Sequence, residues 1–133
     1  MGGHARWALP VTFVAVMAIG ATAATSGLAV SGAEVAILAS VVVLGLAIAT
    51  RARAPLTLAA AITGAFAFMH GYAHGAEIPE VAGFVGYALG FTAATAVLHA
   101  TGLGLGWLLA RNSAAVRVLG ALIAFAGLGL ASV

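Results

Sequence analysis

Four side chains in this 133-residue sequence have the types and spacing to handle a metal ion. His70 and His74 are i, i+4, and Glu77 follows three residues later. On a continuous helix those three share one face. Two imidazoles one turn apart can chelate one divalent ion, and a carboxylate adds negative charge. His99 stands apart, inside a later apolar run. Imidazole and carboxylate without thiolate suit Ni²⁺, Zn²⁺ or Co²⁺. They disfavour Cu(I), which prefers sulfur: the chain has no cysteine, and Met17 and Met69 do not read as a thioether cluster. Three ligands at a mouth and a fourth deeper describe a capture site followed by a relay. Conduction needs such modest affinity, because a closed four-ligand cage holds its ion. Protonated imidazole cannot ligate, so binding is expected to weaken as pH falls toward about 6.5.

The elements that position these groups follow from composition. Hydrophobic residues make up 64% of the chain and charged residues 6%, with a mean hydropathy of +1.20. A soluble domain carries about 25% charged residues. These values exclude a water-soluble globular enzyme, a disordered tail and a nucleic-acid-binding domain; no nucleic-acid partner is expected. The pI near 10.0 reflects scattered arginines, not a basic patch. The expected fold is all-α: a polytopic transmembrane bundle in the lipid bilayer. Five spans are expected, at about 7–25, 32–50, 55–74, 81–110 and 114–133, in one transmembrane domain covering 1–133. The connections are short, so sequence neighbours should pack antiparallel, with the third and fourth spans side by side.

Local signals mark the starts. Ser31 and Glu34 read as a capping box. Pro55 and Pro79 suit the first turns of the third and fourth spans. Asn112 and Ser113 offer a cap to the fifth. The fourth segment is too long for a simple crossing, so it should tilt, kink or protrude. Gly102, Gly104 and Gly106 mark a weak point near its end.

Charge placement sets the expected orientation. Arg6, Arg51, Arg53, Arg111 and Arg117 fall on one side of five spans, and Glu34, Glu77 and Glu80 on the other. The positive-inside rule then makes the N-terminus cytoplasmic and the C-terminus external. The chain is expected in the cell (inner) membrane as a multi-pass protein. A rival reading takes Arg6, the first apolar run and Ala21-Thr22-Ala23 as a cleavable signal peptide, leaving four spans.

Several residues have plainer readings. Gly83, Gly86, Gly90 and Ala94 form a small-residue ridge that reads as tight helix packing. Gly71 and Gly75 could instead leave room beside an ion. Thr63, Thr92 and Thr95 are expected to bond their own i−4 carbonyls. Trp7 and Trp107 read as interface anchors, Glu34 as a cap, Glu80 as a helix-dipole charge, and His4 as inert. The phenylalanines and leucines read as lipid or packing contacts.

Phe68-Met69-His70-Gly71-Tyr72-Ala73-His74-Gly75-Ala76-Glu77 resembles the F-x-H-G-x-A-H-G-x-E signature of the hydrogenase/urease accessory membrane proteins (HupE/UreJ). Gly90-Phe91-Thr92 through Leu98-His99-Ala100-Thr101-Gly102 resembles the family's later G-F-x-x-x-T-x-x-L-H-x-x-G stretch. Leu9-Pro10-Val11-Thr12-Phe13 and Met17 resemble its second span. The resemblance covers nearly the whole chain. It implies a nickel permease, with His70, His74 and Glu77 in the metal-handling motif and His99 at the later histidine position. Family members begin with a further span carrying an H-P-x-x-G-x-D-H type motif. This chain has no aspartate and is expected to begin about where that span ends. It then reads as an N-terminal truncation or as a member that has lost half its site. The missing ligands would come from a second copy or another membrane subunit.

The leading expectation is therefore a permease for a divalent transition metal, most readily Ni²⁺, supplying hydrogenase or urease maturation. Co²⁺ and Zn²⁺ are further cargoes, and no cofactor is held permanently. The alternative is a non-transporting metal-binding accessory subunit, or an inactive permease fragment. An enzyme is not expected: H-E-x-x-H is broken by Gly71, and no serine sits in G-x-S-x-G.

Overall fold

A computed structural model of the chain describes residues 5–78 and 83–132. It contains five helices: α1 (Ala5–Thr25), α2 (Ala33–Thr50), α3 (Leu56–Ala76), α4 (Phe84–Leu108) and α5 (Ser113–Leu130). Each is long and apolar enough to cross a membrane. A helix satisfies its backbone polar groups internally, so it can sit in hydrocarbon where an open strand cannot. The expectations for His4, Pro79, Glu80, the start at Val81 and the end at Val133 lie outside the described residues.

The helix ends only partly follow their sequence signals. Asn112 caps α5, its side-chain oxygen accepting from the Ala115 N–H at 3.0 Å. Pro55 stands one residue before α3, and its carbonyl accepts from Ala59 at 3.0 Å. The Ser31/Glu34 capping box does not form. Gly32, with φ 79°, occupies the N-cap position of α2 and supplies no side chain. α2 closes on Arg51 in the left-handed region, with Ala52 N–H bonding the Ala47 carbonyl at 2.9 Å. α4 runs without a break through Gly102, Gly104 and Gly106, so the expected weak point is absent. At 25 residues α4 is about 37 Å long at 1.5 Å per residue, still more than a straight crossing needs.

Packing departs from the expected neighbour-to-neighbour order. α1 packs chiefly on α3, and α2 on α5; α2 and α3 join the two pairs, while α4 rests lightly on α1. Small residues explain the choice. A Cβ on Gly71 would press on the Met17 carbonyl and stand 2.8 Å from Met17 Cα; one on Gly75 would stand 2.8 Å from Ala21 Cα. Gly20 meets the backbone of Phe68 and Tyr72 in the same way. Gly45 and Gly120 let α2 and α5 approach equally closely. Van der Waals contact between backbones drives such pairing where lipid removes the hydrophobic force. Gly71 and Gly75 are therefore filled by α1 and leave no space beside an ion. The ridge of Gly83, Gly86 and Gly90 behaves oppositely: a Cβ at any of the three meets nothing within 4 Å. It is not a packing seam within this chain.

The bundle also separates charge. Glu34 lies in the first turn of α2 and Arg51 at its far cap. Arg53 precedes α3, and Glu77 caps its other end. Trp7 and Trp107 are exposed, in keeping with interface anchors. Tyr72 of α3 fixes the α1–α2 connection. Its hydroxyl donates to the Leu28 carbonyl at 2.8 Å and accepts from the Val30 N–H at 3.0 Å.

Candidate metal-handling site

The α1–α3 seam sets where the histidines stand. Ala67, Gly71 and Gly75 are the buried residues of α3. His70 and His74 each precede a glycine of that seam, about 100° around the helix from it. They emerge, partly buried, at the edge of the helix contact. Their ring centroids are 5.2 Å apart with planes inclined at 57°.

His99 projects from α4, with its Nδ1 2.9 Å from the Thr95 carbonyl oxygen. A carbonyl can only accept, so Nδ1 carries the proton and Nε2 keeps its lone pair. That tautomer is ready to ligate. α4 packs chiefly on α1. Phe13 of α1 packs against both rings, 5.8 Å from His70 and 4.9 Å from His99 by ring centroids. His74 meets α4 further along. It stacks on Phe91 at 5.5 Å and 19°, and its Nδ1 is 3.4 Å from the Tyr87 hydroxyl.

Glu77 is exposed at the C-cap of α3, where its N–H bonds the Ala73 carbonyl at 3.1 Å. Among the described residues no three His, Asp or Glu side chains converge closely enough to hold one ion. The structure thus brings His70 and His74 together, sets Phe13 against both His70 and His99, and leaves Glu77 at the rim. Thr95 does not bond its own i−4 carbonyl; its hydroxyl donates to Met17 Sδ at 3.7 Å, tying α4 to the buried heart of the α1–α3 seam. Thr101 does follow the helical pattern, donating to Val97 at 2.8 Å.

The sequence reads Phe13 and Phe91 as lipid or packing contacts and assigns Tyr87 no role, yet each touches a candidate ligand. A signal existed. Tyr87, Phe91, Thr95 and His99 follow one another at i+4, and Phe13 and Met17 share the same spacing on α1. Each set lies on one helix face.

Residues 1–130 match the profile described as HupE / UreJ protein. The chain belongs to the HupE/UreJ family. It is also 40% identical over 132 residues to "Protein HupE" of Rhizobium leguminosarum bv. viciae, an alignment covering 98% of this chain and 69% of that protein. No solved structure matches the chain. HupE/UreJ membership places it among accessory or transport proteins rather than enzymes. The sequence resemblance drawn from the His70–Glu77 stretch is thereby established at the level of the family.

Proposed function

We propose that this HupE/UreJ chain is a multi-pass permease of the cell (inner) membrane that carries a divalent transition metal, most readily Ni²⁺, toward hydrogenase or urease maturation. One observation carries the reading: the His70–His74 pair, with ring centroids 5.2 Å apart on an apolar helix. Two imidazoles on one ion, at a metal–nitrogen distance of about 2.1 Å, put their ring centres about 4.6–5.3 Å apart. The observed spacing falls within that range. Ionisable groups within spans are costly and ordinarily mark a pathway. Glu77 at the rim attracts the cation, the histidine pair captures it, and His99 with its free Nε2 receives it.

The charge separation along α2 and α3 supports the arginine ends as cytoplasmic, with the N-terminus inside, the C-terminus outside and Glu77 at the external mouth. The nickel assignment rests on the family, whose members are regarded as nickel permeases. Radioactive nickel uptake tests the reading. Cells expressing the chain should take up nickel several-fold faster than cells carrying an empty vector, and excess Co²⁺ should compete. Identical rates in the two would refute it.

A second reading, metal binding without passage, draws on the Phe13 ring packed against both His70 and His99. It predicts binding at His70 and His74 with no flux.

A further inference from the structure

At the arginine end of the molecule all five helices line an open-sided cavity of about 1190 Å³. Its walls are apolar, with Val43, Leu44, Ile62 and Leu105 along them. Those four side chains are also exposed, so the cavity opens sideways to its surroundings. Arg51, Arg53 and Arg117 line it as well, brought together from the α2–α3 connection and from α5. No carboxylate is among its lining residues.

Two features make this more than a gap between helices. Three like charges gathered on one cavity repel one another, and no carboxylate among the described lining residues offsets them. In addition, Arg51 holds φ 55°, a left-handed conformation at a helix end where glycine is the usual choice. An L side chain kept there is strained, and such strain persists where the side chain is used.

The chemistry of the occupant follows. Three guanidiniums disfavour a metal cation and select an oxyanion, with phosphate geometry suited to their forked donors. Apolar walls open to hydrocarbon select an acyl chain. One class of molecule carries both. We propose that this cavity seats an anionic phospholipid, its phosphate paired with Arg51, Arg53 and Arg117 and an acyl chain laid along Val43, Ile62 and Leu105. Basic pockets between membrane helices are suited to such headgroups. The proposal does not depend on the permease reading, because no candidate metal ligand lines the cavity.

Native mass spectrometry of the purified full chain tests it, with phosphatidylglycerol, phosphatidylcholine of the same acyl chains, and inorganic phosphate as competitor. Phosphatidylglycerol should bind preferentially. Each guanidinium near a headgroup contributes roughly fivefold, so Arg51→Gln, Arg53→Gln and Arg117→Gln together should weaken it on the order of a hundredfold. Arg111→Gln should change little, since Arg111 does not line the cavity. Two further variants keep the test sharp if the triple variant fails to fold. Arg51→Gly installs the residue its backbone favours and should weaken binding about fivefold in a folded protein. Gly106→Leu should block both lipids without altering charge, because Gly106 lines the cavity and a Cβ there meets nothing within 4 Å. Equal binding of the two lipids, an Arg111→Gln effect as large as that of Arg51→Gly, or displacement of the lipid by millimolar inorganic phosphate would each overturn the proposal.

Discussion

Gly71→Ala is expected to break the bundle, while Gly90→Ala leaves it intact. The added methyl at Gly71 would occupy the space of the Met17 carbonyl, and backbone on a packed helix cannot step aside. α1 and α3 would have to part along the seam that also holds Gly20, Ala21 and Gly75. Overpacking ordinarily costs about 1–3 kcal/mol, and rigid backbone on both sides places this case at the upper end or beyond. Against a total stability of roughly 5–15 kcal/mol that is a large fraction. At Gly90 nothing lies within 4 Å of the new Cβ. Alanine is also the better helix former, by about 1 kcal/mol in water. Thermal unfolding in detergent, with size-exclusion profiles, should therefore separate the two variants clearly. Equal melting temperatures would mean that α1 and α3 do not meet through Gly71.

The second large effect concerns the histidine pair. His70→Ala or His74→Ala should lower nickel affinity by at least roughly tenfold to a hundredfold. Loss of a mere supporting partner of a metal ligand costs that much, and a ligand should cost more. Removing one imidazole turns a chelate into a single-point contact. His99→Ala should spare capture but slow transfer, because among the described residues His99 does not join His70 and His74 in a three-ligand group. Calorimetric nickel titration of the three variants checks the order. If His99→Ala lost as much affinity as His74→Ala, the division into capture and relay would be wrong.

The five helices were legible because long apolar runs broken by arginine, glutamate, proline or asparagine leave little alternative in a chain so poor in charge. The partners of those helices were not. Gly and Ala occur on every span, so Gly86-x-x-x-Gly90 on α4 reads as well as the pair Gly71 and Gly75 on α3. Only the structure shows that α3 is seated on α1 while the α4 ridge faces away. The His70–His74 pair was legible from its i+4 spacing, which one helix guarantees. The relation to His99 was not, because it depends on which helix α4 chooses. By leaning on α1, α4 brings His99 against Phe13, and Tyr87 and Phe91 to His74. Glu77 misses the pair because the helix ends at Ala76, leaving the carboxylate exposed at the cap.

Passage of the ion is the central claim, and flux in a sealed vesicle tests it most directly. The purified chain is placed in liposomes enclosing a nickel-sensitive dye, and binding is measured on the same preparation. The account predicts time-dependent entry of Ni²⁺ that His74→Ala abolishes. Nickel bound to the protein with no entry above that of empty liposomes would contradict it.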